Sequence, residues 1–108
     1  MKKTLILGLL MISELAIASS QTGTVEKMIV GRLGYQVYVH LSNASTCSSE
    51  HPLGYNFAFS LNDHDAGKEI LSTLLAAQMA QRQVTVQGMS QCTIDDRMED
   101  ISYVTIYK

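Results

Sequence analysis

The stretch Asn62–Gly88, NDHDAGKEILSTLLAAQMAQRQVTVQG, changes its hydrophobic period once, and that change decides the fold. Ala66, Ile70, Leu71, Leu74, Leu75 and Ala77 recur at helical spacing, the pattern of a helix with one buried stripe. Asn62, Asp63 and Asp65 offer side-chain oxygens to the free N–H groups of a first turn. Asp63, Asp65 and Glu69 also place negative charge at the positive end of the helix dipole. The spacing predicts a helix from Asp63 to Arg82. At Gln83 the period becomes two: Val84 and Val86 take one face, Gln83, Thr85 and Gln87 the other, and Gly88 closes the strand. Helix and strand are thus joined by almost no connection, which ties the helix end to the sheet.

Everything around this stretch reads as strand and loop. Ser19–Gly23 is small and polar, expected as a loose leader, and Thr24–Val30 is a first strand. Gly31-Arg32-Leu33-Gly34 is a hairpin turn before Tyr35–Ser42. There Tyr35, Val37, Val39 and Leu41 alternate with Gln36, Tyr38, His40 and Ser42, and the first set is assigned to the interior. Asn43–Gly54 is a polar loop holding the single proline, Pro52. Tyr55–Leu61 alternates again and carries both phenylalanines, Phe57 and Phe59. After Gly88, Met89–Asp100 is polar and acidic, and Ile101–Tyr107 is the last strand. Its alternation breaks between Tyr103 and Val104, which calls for a bulge or burial on both faces.

Residues 1–18 read as a bacterial secretory signal: Lys2 and Lys3, an apolar run from Leu5 to Ile12, then Ala16-Ile17-Ala18 as a cleavage pattern. Residues 19–108 then form one small domain. Secretion or a periplasmic location is expected, without stable membrane insertion after cleavage. In residues 19–108, six Lys and Arg face nine Asp and Glu with no basic cluster, which argues against nucleic acid. Cys47 and Cys92 are the only cysteines, and an even count in an oxidising compartment reads as a disulfide between them.

The order strand, strand, strand, helix, strand, strand fits a mainly β chain with one helix. Its expected form is the oligonucleotide/oligosaccharide-binding (OB) fold, a five-stranded antiparallel barrel with the helix plugging one mouth. The stripe of Ile70, Leu71 and Leu74 would then meet Val37, Val39, Phe57 and Val84. An open α+β sheet with the helix on one face is the competing arrangement.

Several features together resemble a known family. They are Gly23-Thr24-Val25, the Cys47 loop, the helix EILSTLLAAQMAQ, the strand QVTVQG, Cys92, and the terminal Ile101, Val104 and Ile106. From Gly23 to Tyr107 the chain resembles small secreted proteins described as subtilase-cytotoxin B-subunit-like, relatives of the binding subunits of AB5 toxins. The resemblance implies an OB-fold barrel, a ring pentamer, host glycans as ligands and a catalytic A subunit as partner. The chain departs from the toxin members in its shortness, in having no Trp, and in lacking further cysteines. The resemblance carries over no glycan-contacting residue. Sugars stack on aromatic rings, for which Tyr35, Tyr38, Tyr55, Tyr103 and Tyr107 are available.

Catalytic and metal chemistry finds little footing. Asp63-His64-Asp65 reads as helix capping rather than a metal site. Asp95–Asp100, DDRMED, lacks calcium-loop spacing and reads as a solvated acidic loop. His40, His51 and His64 are scattered, Cys47 is committed to a disulfide, no G-x-S-x-G elbow occurs, and Met28, Met79, Met89 and Met98 read as packing. No cofactor or metal is expected. The expected function is a secreted non-catalytic binding module, glycan- or protein-binding and oligomeric. The alternative is a periplasmic envelope structural or inhibitor domain with no small-molecule ligand.

Overall fold

The computed structural model describes residues 20–44, 47 and 49–107; the leader expected at residues 1–18 lies outside them. The elements run β1 (Ser20–Arg32), β2 (Gln36–Leu41), β3 (Phe57–Ser60), α1 (Gly67–Ala80), β4 (Gln83–Gly88) and β5 (Glu99–Ile106). The protein is mainly β, a five-stranded mixed sheet with one helix. Strand neighbours follow the order β1-β2-β3-β5-β4, and β4 pairs with β1, so the circuit of pairings closes.

Four of these pairings are antiparallel and one, β3 with β5, is parallel. The expectation of antiparallel pairing throughout is therefore corrected, and the reason is parity. Each antiparallel step reverses direction, and a closed circuit of five cannot reverse at every step. The unreversed step falls at the shortest junction, where only Phe57 faces Glu99 and Ala58 faces Asp100.

The first strand is longer than expected because it serves two neighbours. Ser20–Thr24 pair with β4 and Val25–Arg32 with β2. A register slip at Glu26 lets the strand bend between them. Residues 20–23 are thus strand rather than loose leader; without them β4 would present an unpaired edge.

Helix α1 starts four residues later than expected. Its N-cap is Ala66, with no side-chain capping bond, and Asn62, Asp63 and Asp65 cap nothing. Ser60 Oγ instead accepts from Asn62 N at 3.3 Å and Asp63 N at 3.0 Å, which bends the chain into turns. Gly67 then brings the first helical turn against the end of β3: a Cβ there would lie 2.8 Å from Leu61 Cα and Ser60 O. At the other end, Gln81 adopts a left-handed φ of 56° and Arg82 N–H donates to Ala77 O at 2.9 Å. Only Gln81 and Arg82 separate helix from β4.

The stripe of α1 buries Ile70, Leu74 and Ala77 in one cluster with Val25, Val37, Val39, Leu41, Phe57, Phe59, Val84, Val86 and Ile101. Each large side chain there favours folding by about 1.5–3 kcal/mol. A second cluster, Tyr38, Tyr55, Ala58 and Met98, lies across β2 and β3 from the first, so these strands are buried on both faces. Tyr35, assigned to the interior, is 57% exposed because it precedes the first paired residue of β2.

The broken alternation of ISYVTIY is a register slip. Gln87 pairs with Tyr103 and Gly88 with Ile101, leaving Ser102 extra. Ile101 and Val104 therefore both reach the core. His64 fastens this irregularity to the helix start. Its Nε2 lies 3.0 Å from Ile101 O and 3.1 Å from Ser102 O, while Nδ1 accepts from Ala66 N at 2.9 Å. Carbonyls only accept and the amide only donates, so the ring is the neutral tautomer with the proton on Nε2.

Cys47 and Cys92 form the expected disulfide, with Cα atoms 6.6 Å apart. It joins the loop before β3 to the loop before β5, and Cys47 N–H also donates to Arg97 O at 3.3 Å.

Candidate binding surface

Strand alternation puts one set of β1, β4 and β5 residues outside the core. On β1 they are Ser20, Thr22 and Thr24; on β4, Gln87, Thr85 and Gln83; beyond them, Tyr103, Thr105 and Tyr107. The register aligns these residues in rows. Ser20 faces Gln87, which faces Tyr103; Thr22 faces Thr85, which faces Thr105; Thr24 faces Gln83. Their neighbours Gly23, Val84, Val86 and Gly88 are buried, which fixes the outward direction of the set.

The nine residues carry no charge and no aliphatic side chain. Tyr103 is 57% exposed and Tyr107 51%. A line of hydroxyls crosses the three strands: Thr22 Oγ1 lies 2.7 Å from Thr85 Oγ1, which lies 2.9 Å from Tyr107 Oη. Hydroxyls and amides both donate and accept, so the face can match a ligand of either polarity. Strand spacing and rise make it about 10 by 14 Å. Charges stand at one end, where Glu26 Oε2 accepts from Thr24 Oγ1 at 2.8 Å and Arg82 Nη1 lies 3.5 Å from Tyr107 O. Beside Thr24 opens a cleft of about 370 Å³ between β1 and the end of α1, lined by Val25, Glu26, Ala77, Gln78 and Gln81.

Of the five tyrosines considered for stacking, Tyr38 and Tyr55 are buried at 6% and 5% and offer no ring face. They pack at 6.2 Å between centroids. Tyr35, Tyr103 and Tyr107 are exposed, and the last two share the uncharged face. Single residues such as Thr22 and Thr105 gave no sequence signal; the register brings them together.

The histidines divide. His40 and His51 line one cleft of about 200 Å³ with Asn43, Glu50 and Gly54, and His64 lies apart in the bulge contact. His40 Nδ1 is buried with no hydrogen-bond partner among the described residues. Burial, then the Arg97 charge, push His51 below its ordinary value, and its Nδ1 accepts from Leu53 N at 3.0 Å. Among the described residues, no three His, Cys, Asp or Glu side chains converge as a metal set.

The acidic segment is not a solvated loop throughout, as expected from DDRMED. Glu99 and Asp100 are buried at 8% and 7% in β5. Glu99 Oε2 accepts from Ser90 N at 2.8 Å, and the Asp100 oxygens accept from Thr93 N at 3.2 Å. These carboxylates supply acceptors to a loop that lacks strand partners. Glu99 fills the space where a side chain at position 88 would stand, which is why Gly88 is there.

No family model matches the chain, and no curated protein or solved structure does.

Proposed function

We propose that this chain is a secreted, non-catalytic binding module of the OB-fold barrel class, resembling AB5 toxin B subunits, and that it takes a glycan on its β1–β4–β5 face. The barrel reading draws support from the closed circuit of pairings with α1 between β3 and β4. The glycan reading rests on one observation, the uncharged grid of threonines, glutamines and tyrosines. A sugar ring offers C–H faces for stacking on Tyr103 and Tyr107, and hydroxyls for Thr22, Thr85, Thr105, Gln83 and Gln87. A nucleic acid would need cations that this face lacks.

A glycan array on disulfide-intact protein tests the reading. Hits are expected, and Tyr103→Ala and Tyr107→Ala should each weaken them by about tenfold, or about 1.4 kcal/mol. An array without hits would leave an envelope structural or inhibitor domain as the better reading, and hits indifferent to both variants would move the glycan site off this face. The resemblance also carries the proposal of a five-membered ring. Light scattering that finds only a monomer at high concentration removes the ring and leaves the glycan face standing.

A further inference from the structure

The β1–β2 turn breaks two local rules at one residue. Gly34 N–H donates to Gly31 O at 3.0 Å, closing a tight turn with Arg32 and Leu33 at its centre. Leu33 adopts a φ of 50°, between Gly31 at 93° and Gly34 at 95°. Glycine or asparagine occupies that region at little cost, whereas leucine is strained there. Leu33 is also 76% exposed, so it gains no burial in return. Strain held at an exposed position points to a use outside the chain.

The surroundings indicate which use. Val30 is 50% exposed and Tyr35 57%, so three apolar side chains project from one hairpin end. Tyr35 is anchored, its carbonyl accepting from Leu61 N at 2.8 Å. Behind the tip, Lys27 Nζ stands 5.0 Å from the Tyr55 ring centroid, and Arg32 is exposed in the turn itself. After burial, the charges of Arg97, Arg32 and Lys27 act to lower the His51 pKa and that of Asp95 to raise it, so these groups share this side of the molecule. Asp95 pairs with Arg97 at 2.9 Å, whereas Lys27 and Arg32 form no ion pair among the described residues; exposed Glu26, Glu50 and Asp96 stand in the same region.

We propose that the β1–β2 turn docks peripherally on an anionic lipid surface, with Leu33, Val30 and Tyr35 entering the headgroup boundary and Arg32 and Lys27 meeting lipid phosphates. The groups match a bilayer interface: Leu33 at the apex with Arg32 next to it, an amphipathic ring beside them, and Lys27 behind. A protein pocket would accept Leu33 without requiring the cations. The contact is peripheral; no helix of the described residues is long and apolar enough to cross a membrane. The proposal stands on the hairpin and does not depend on the glycan reading.

Flotation of disulfide-intact protein with vesicles tests it, comparing phosphatidylcholine alone with vesicles containing roughly 30% phosphatidylglycerol. The anionic vesicles should carry the protein, less so as salt rises. Leu33→Asn, which suits a positive φ, should keep or raise Tm while cutting vesicle binding at least tenfold. Arg32→Gln and Lys27→Gln should flatten the salt dependence. Absence of binding to anionic vesicles, or equal binding by a folded Leu33→Asn, overturns the proposal. So does light scattering that shows self-association abolished by Leu33→Asn without vesicle binding, because the turn would then be a contact between copies.

Discussion

The Asp95 carboxylate is held by one neighbour two residues on. Its Oδ1 accepts from Arg97 N and Nε, both at 2.9 Å, and Oδ2 from Arg97 Nη2 at 2.9 Å. The guanidinium hydrogen bond, above other causes, lowers the carboxyl from 3.8 to about 2. A lowered acid contributes stability above its unfolded value and loses that contribution as pH falls through the folded one. The urea midpoint should therefore drop more steeply between pH of about 4 and about 2 in the wild type than in Asp95→Asn. Equal slopes would mean that the pair contributes nothing. In the sequence, DDRMED shows four acids and one base, and nothing marks which acid the base will choose. The choice is made by the turn, where Met98 N–H donates to Asp95 O at 3.0 Å and brings Arg97 back over Asp95. Asn56 was equally hidden: buried at 3%, it accepts from Leu41 N at 3.0 Å and donates to Leu41 O at 2.9 Å, standing in for a missing strand partner.

Periodicity revealed the elements better than their ends. The stripe Ile70, Leu74, Ala77 and the alternation Val84, Val86 were readable because burial imposes them directly. The start of α1 was not, because three good capping residues precede it and the structure uses none of them. Close approach of Gly67 to Leu61 decides the start, and that contact exists only once β3 is in place. Asp63 and Asp65, expected as caps, are bypassed, and His64 between them joins the helix start to the bulge. His64→Ala removes a donor shared by Ile101 O and Ser102 O and the acceptor for Ala66 N–H. The expected loss is about 1–3 kcal/mol in chemical denaturation. A loss below about 0.5 kcal/mol would mean that water replaces the ring without cost. The bulge at Ser102 was legible as a broken alternation, whereas its partner across the molecule was not.

At the scale of the molecule, the two cysteines were plain and the direction of β3 relative to β5 was not. The parallel step follows from counting strands around a closed circuit, and closure itself leaves no local mark. The uncharged face was invisible for the same reason: its members lie on three strands whose register only tertiary pairing sets. Removing the disulfide with Cys47→Ser and Cys92→Ser should cost about 4 kcal/mol, given the 45-residue separation. Hydrogen exchange should show the loss first at Phe57, Ala58, Glu99 and Asp100. Uniform loss across all strands would contradict that order. Because β3 and β5 point the same way, the segments that feed them arrive at one end, and the sulfur bridge clasps those two segments. The bridge is thus a latch on the shortest seam. Opened by a reductant, the seam would bare two strand edges at once, each able to receive the matching edge of another copy. Ambient redox poise would then govern whether the chain keeps its strands to itself or trades them with its neighbours.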